Sequence, residues 1–332
     1  MDWVCITFPG EFASSLLQAA TLQRFLRREE PVHIIVSETI PEGDPTLAVF
    51  SEAVRELLPR SQMHHANEFM DNEKTWDGYR AQQFLKLACF RVVSSPQYVV
   101  LDAKNFAIRP LMTRNYISAD GHTLNSFERL EADWIDRYLL SRSLVTTGEL
   151  LPIDDADRVR SAYLRFPQPV TPFALSTADS EGLARHLSQI EGASLEEVFT
   201  DPTYEPITEF VLYWAFVEHF ADVKPVETAR RWATLWAVTH DPLSHARHAI
   251  AADHIDFFSV HRGIFAQFPP PNGARDAFVS VATAMWGSRV DDGGQLYDAM
   301  SLYTRQPSAE ALTTVAQATL GLSSDWTDGH RA

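Results

Sequence analysis

Tyr98-Val99-Val100-Leu101-Asp102-Ala103-Lys104-Asn105 is an apolar run that stops abruptly at an acid, a base and an amide. A strand apolar at successive positions has both faces covered, as the central strands of a parallel sheet do when helices pack on either side. In such sheets ligands gather outside the carboxyl ends of the strands. This one stretch therefore predicts an α/β fold and places Asp102 at a candidate site.

The surrounding sequence repeats the rhythm. Upstream, Tyr79 to Val93 is strongly periodic and reads as a helix carrying Phe84, Leu87 and Ala88 along one side. Earlier still, Trp3 to Phe8 reads as a strand ended by Pro9-Gly10, Phe12 to Arg28 as a helix, Val32 to Val36 as a second buried strand, and Thr46 to Leu58 as an amphipathic helix. Alternating strands and helices predict a mainly parallel sheet flanked by helices. Met63 to Gly78 reads as a polar stretch. Downstream, Leu124 to Ser143 is expected to be helical, Thr171 to Leu175 a strand, Ser180 to Glu191 and Pro206 to Phe220 helices, Arg230 to Ala237 a helix, and Ile255 to Val260 a strand. Phe268-Pro-Pro-Pro-Asn-Gly273 breaks the pattern before a helical tail over Arg275 to Trp286 and Ser308 to Leu320, with fraying expected from Ser323. The expected division is a domain over 1–267 with a C-terminal helical extension, 268–332, packed on it.

Composition narrows the function. With 332 residues and 45% hydrophobic content the chain can bury a full core. Acidic residues outnumber basic ones, 44 to 28, for a formal charge of -16, which makes nucleic acid an unlikely partner. Cys5 and Cys89 lie in apolar runs and read as small hydrophobes rather than a disulfide framework. No apolar stretch is long enough to span a membrane, and the expected location is the cytoplasm. A nucleophile elbow, a Walker loop, a dinucleotide fingerprint and a C-x-x-C pair are all missing from the sequence.

Four segments could carry chemistry. Asp102, with Lys104 and Asn105 beside it, could ligate a hard divalent cation that neutralises a departing nucleotide diphosphate; the alternative is an Asp capping the next turn. Arg80, Gln83 and Lys86 recur at intervals of three on one helix, facing either phosphates or solvent. Glu209 sits in an apolar, aromatic helix, where a carboxylate must cap, pair with a cation or occupy a site with a perturbed pKa. His261 and Arg262 end a strand and offer one neutral ligand or base and one phosphate fork.

Together the blocks Gly78-Tyr-Arg-Ala-Gln-Gln-Phe-Leu-Lys-Leu87, Tyr98 to Asn105 with Arg109-Pro110, Thr171-Pro172-Phe173, Thr208-Glu209-Phe210-Val-Leu-Tyr213 and Phe257-Phe258-Ser259-Val260-His261-Arg262 resemble a bacterial family of unknown function that is similar to the GT-A-type nucleotide-sugar glycosyltransferases. The resemblance spans roughly residues 1 to 265. It implies a GT-A-like, Rossmann-type fold. It also implies transfer of a sugar from a nucleoside diphosphate sugar to a saccharide or related hydroxyl acceptor in polysaccharide or glycoconjugate synthesis. On that footing Asp102 would hold ribose or a metal, and Arg80, Gln83, Lys86, Lys104, Asn105 and Arg262 would surround the donor. Glu209 would orient the acceptor or act as base, and His261 would meet the diphosphate or share a manganese or magnesium ion with Asp102. One departure stands out. Typical GT-A enzymes carry Asp-x-Asp at this strand end, and here Lys104 replaces the second acid. Metal-independent transfer and a non-catalytic nucleotide- or glycan-binding homologue are both compatible with that replacement, as is another nucleotide-dependent transferase.

Overall fold

The computed structural model describes residues 1–41, 43–71, 76–127, 140–151, 153, 170–190, 192–222, 226–267, 269–287 and 290–327. Its centre is a sheet of β1 (Asp2–Thr7), β2 (Val32–Val36), β3 (Ser61–His65), β4 (Gln97–Asp102) and β7 (Phe173–Ser176) in the order β3-β2-β1-β4-β7. All pairings are parallel except β4 with β7. Helices α1 (Phe12–Phe25) and α2 (Pro45–Leu57) make the crossovers from β1 to β2 to β3, and α3 (Gly78–Ala88) precedes β4. Asp44 and Asp77 cap α2 and α3 by accepting from backbone N–H groups of their first turns.

Alternate residues of each central strand enter two different cores. Trp3, Cys5, Ile34, Val99 and Leu101 belong to the cluster under α1 and α2. Val4, Ile6, Ile35, Tyr98 and Val100 belong to the cluster on the other face, with α3, α5 (Thr177–Ile190), α6 (Leu195–Thr200) and α7 (Glu209–Phe220). Both cysteines are free and buried, and burial pushes their thiols far above the usual range.

A second sheet has the order β5-β10-β9, with β5 (Asn105–Ala107) antiparallel to β10 (Phe257–Val260) and β10 parallel to β9 (Trp232–Leu235). A two-stranded parallel ladder joins β6 (Leu124–Ser126) to β8 (Val226–Thr228). α4 (Leu140–Leu150) packs against α7, α8 (Pro242–Ala251) lies against β9, and α9 (Arg262–Ala266) follows β10. In the C-terminal part, α10 (Ala274–Trp286), α11 (Val290–Arg305) and α12 (Ala309–Thr327) share the first core, and α12 lies against α1 and α2. The Tyr303 hydroxyl of α11 donates to the Pro9 carbonyl, bracing the loop that follows β1.

Several elements differ from the sequence reading. Arg230 to Ala237 is not a helix: Trp232–Leu235 is a strand buried at every position. A four-residue segment buried at every position is too short to show a period that separates the two. Leu124–Ser126 is strand rather than helix. The expected helix is described only from Leu140, and the part over 128–139 lies outside the described residues. The polar stretch contains edge strand β3, whose Ser-Gln-Met-His-His sequence shows no apolar alternation and is held by its register with β2. α11 escapes a periodicity reading because Gly293 and Gly294 lie in its first turns, where they leave no side chain to mark a face. The last helix runs to Thr327, past the point where fraying was expected.

Candidate active site

The strand order changes direction between β1 and β4: the chain leaves β1 towards β2 and β3 on one side, and β4 lies on the other. At such a switch point the connecting loops separate and leave a crevice at the carboxyl ends. Three acids follow those ends. Glu11 comes after β1, Glu38 after β2, and Asp102 terminates β4.

Asp102 is held between two lysines. Its Oδ1 lies 3.0 Å from Lys86 Nζ and its Oδ2 lies 3.1 Å from Lys104 Nζ. Lys86 comes from the last turn of α3 and is itself shared, with Glu209 Oε1 also 3.0 Å away and the Phe210 ring beneath it at 5.3 Å. Burial raises the Asp102 carboxyl, but Lys86 and then Lys104 more than offset this and hold it well below the usual carboxylate range. Burial likewise pushes Lys86 down, and Asp102 with Glu209 reverses the effect, leaving it raised. The four groups thus form one continuous chain of ion pairs, Lys104, Asp102, Lys86, Glu209. Glu209 occupies the first turn of α7, and its contact is with a cation rather than with the helix N–H groups.

The turn that presents Asp102 is pinned from below. The Asp102 N–H donates to Asn105 Oδ1 at 2.7 Å, and Asn105 Nδ2 donates to Ser259 Oγ at 2.7 Å and to the Thr171 carbonyl at 3.4 Å. Gln18 Nε2 donates to the carbonyls of Asp102 and Asn105 at 2.7 and 3.0 Å. Asn105 is fully buried, so its amide organises the turn and couples the two sheets. Arg80 and Gln83 form a separate unit. The Arg80 guanidinium donates to the carbonyls of Val198, Phe199, Tyr204, Glu205 and Ile207 and to Gln83 Oε1, and it stacks 4.7 Å over Phe199. Its donors are spent on the segment that leads into Glu209.

His261 caps α9, its Nδ1 accepting from the Gly263 N–H at 3.2 Å, and its ring lies 4.9 Å from that of Trp236. Burial first, and the Lys104 charge second, lower its pKa, which keeps the imidazole neutral. Arg262 is exposed, lies 5.8 Å over the Phe8 ring, and acts electrostatically on Glu11 and Glu38.

Does the donor set suit a divalent cation? Of the two residues expected to hold one, Asp102 has both oxygens on ammonium groups and His261 faces a backbone N–H with Nδ1. Among the described residues no group of three or more His, Cys, Asp or Glu side chains converges to hold a metal. These residues do not fit a protein-held cation.

Three neighbours were not singled out from sequence. Glu11 has its carboxyl pushed up to about 7, by burial first and the Asp102 charge second, against the opposing pull of Lys104, Arg262 and Lys86. Its signal was there, an acid directly after the Pro9-Gly10 that ends β1. Glu38 follows β2 in the same way. Trp236 was hidden inside the segment read as a helix.

No curated protein matches the chain in sequence. Among solved structures it overlaps WbbM, a bifunctional glycosyltransferase, at 9% identity and a TM-score of 0.48, covering 93% of this chain and 52% of that one, so that it spans about half of WbbM. The galactosyltransferase LgtC, in complex with donor and acceptor sugar analogues, overlaps at 10% identity and a TM-score of 0.46, covering 85% and 96% of the two chains. Mouse xyloside xylosyltransferase 1 overlaps at 10% identity and a TM-score of 0.39, covering 78% and 97%. Likeness at this level assigns no residue a role. At the level of sequence family the match is direct: residues 17–264 match the family of unknown function DUF6492, and the chain belongs to that family.

Proposed function

We propose that this protein is a glycosyltransferase that moves a sugar from a nucleoside diphosphate sugar to a hydroxyl of a saccharide or related acceptor, in polysaccharide or glycoconjugate synthesis. The observation that carries the reading is the chain Lys104–Asp102–Lys86–Glu209 at the β1/β4 switch point. A departing diphosphate needs positive charge aimed at it in a partly dry site. Lys104 has a single carboxylate partner among the described residues and keeps donors for phosphate oxygens, and exposed Arg262 adds a fork nearby. In this reading the lysines do the work of a cation and transfer is metal-independent.

Asp102 fixes both lysines and has its carbonyl pinned by Gln18, so it sets the geometry of the donor side. Glu209, tethered to Lys86, orients the acceptor hydroxyl or takes its proton. Glu11, whose carboxyl titrates about 7, can hold or release a proton near neutrality, where general acid–base groups work best. Arg80, Gln83 and Asn105 act as positioning residues. Among the described residues no helix is long and apolar enough to cross a membrane. A nucleotide-sugar donor would place the reaction in the cytoplasm.

The test is calorimetric titration of the protein with UDP, GDP, CDP, ADP and dTDP and their sugars, each with and without manganese or magnesium. One nucleotide should bind selectively, with an affinity that metal changes little. Binding of none would refute the reading. Selective binding with no turnover of any donor would instead favour a non-catalytic homologue, which the Lys104 replacement also suits.

A further inference from the structure

The second sheet opens on the same mouth as the first. β9 and β10 are parallel, with Ser259 level with Thr234, so they finish side by side at Leu235 and Val260. β5 starts at Asn105, level with Ser259, within a few residues of Asp102. Following the mouth from strand to strand, the residues just beyond the carboxyl ends are Glu38, Glu11, Asp102 with Lys104, His261 and Trp236. One end is charged and the other is aromatic, with Lys104 between them.

The aromatic end is built rather than incidental. The Trp236 backbone N–H donates to Thr239 Oγ1 at 2.9 Å and the Thr239 N–H returns to the Trp236 carbonyl at 3.0 Å, closing a turn that sets the backbone from which the indole projects. The His261 N–H donates to the Leu235 carbonyl at 3.0 Å, which brings the imidazole against the indole, centroids 4.9 Å apart and planes inclined by 33°. Even so, Trp236 is 46% exposed, and Val238 in the same turn is 90% exposed. A lone exposed hydrophobe needs no explanation. An indole carried by a closed turn, backed by a ring and left open beyond the charged strand ends is a flat apolar surface. The ligand chemistry that suits it is a ring with an apolar C–H face and a rim of hydroxyls.

We infer that Trp236, backed by His261, is the stacking platform for a pyranose ring of the saccharide acceptor. The inference rests on the glycosyltransferase reading and adds to it the place and chemistry of the acceptor. On that reading Lys104 meets the diphosphate, and the open aromatic face beyond it is placed to carry a ring of the second substrate.

The experiment compares wild type, Trp236→Phe and Trp236→Ala by saturation-transfer NMR against methyl α- and β-glycopyranosides of glucose, galactose, mannose and N-acetylglucosamine. Nucleoside diphosphate binding to the same three proteins is measured by calorimetry. Trp236→Ala should weaken the best glycoside roughly tenfold or more, Trp236→Phe should retain most of the affinity, and nucleotide binding should be unchanged in both. Glycoside binding that survives Trp236→Ala overturns the platform while intact nucleotide binding leaves the wider reading standing. Loss of nucleotide rather than glycoside affinity also overturns it, assigning the indole to a nucleobase. If wild type binds neither class of ligand, the platform and the reading it rests on fall together.

Discussion

Replacing Lys86 by methionine removes the one cation that Asp102 and Glu209 share while keeping the length and most of the volume of the side chain. Lys86 is 8% exposed and Glu209 6%, so the Glu209 carboxylate cannot recover full hydration when the ammonium is gone, whereas Asp102 is partly open to solvent. Breaking a buried ion pair by deleting one partner costs about 3–5 kcal/mol, because a charge is left uncompensated. Here Lys104 still holds Asp102 Oδ2, which places the expected loss near the lower end for Asp102, with Glu209 left without its cation. At pH 7.5 we expect Lys86→Met to lose about 3–4 kcal/mol in urea unfolding. The pH dependence discriminates further. In wild type the Asp102 pKa is depressed, so the stability it contributes is present above the unfolded carboxylate pKa and is lost as pH falls through the lower folded value. In the variant Asp102 loses one of its two cations and its carboxyl is less depressed, so the gap between the two proteins narrows as pH falls through the carboxylate range. A loss under about 1 kcal/mol, or a gap that does not narrow between pH 7.5 and about 3, would refute the view of Lys86 as a desolvated hub.

Three other outcomes follow from the same geometry. Asp102→Asn should weaken nucleoside diphosphate binding, measured by calorimetry, with both lysines released from a fixed carboxylate; unchanged donor affinity would remove Asp102 from the donor side. Glu209→Gln should sharply reduce turnover while leaving nucleotide affinity in place, whereas turnover retained in the folded variant would mark it as purely structural. Glu11→Gln tests the titration about 7. The folded pKa lies above the unfolded 4.5, so wild type loses stability as pH rises from about 4.5 to 7, on the order of 1–3 kcal/mol, and the variant should be the more stable at pH 8 and equal at pH 4. A gap that is the same at both pH values would show a solvated Glu11.

Arg80→Lys should destabilise the fold by about 2–4 kcal/mol in urea unfolding, because lysine cannot match a planar fork on carbonyls from Val198 to Ile207. It should leave nucleotide affinity almost unchanged. Loss of nucleotide binding at normal stability would instead return Arg80 to the phosphates.

Much of the first half of the fold was legible in the sequence because burial on both faces writes itself as apolar runs, and caps such as Asp44 and Asp77 mark where helices start. Asp102 could be placed at a strand end because Val99, Val100 and Leu101 lead straight into it. Sequence could not separate strand from helix at Trp232–Leu235, since a short segment buried everywhere has no period. Nor could it find β3, a polar edge strand that depends on its neighbour. The partnerships were decided by tertiary structure alone. Lys86 and Glu209 are separated by 123 positions and Asn105 and Ser259 by 154. Local spacing constrains neighbours within a few turns of chain, whereas the meeting of α3, the β4 end and α7 is set by how two cores close over the sheet. That closure is also what turns Arg80 from a phosphate candidate into a clasp on a loop, and what raises Glu11 from an unremarked acid after a turn to a titrating group in the crevice.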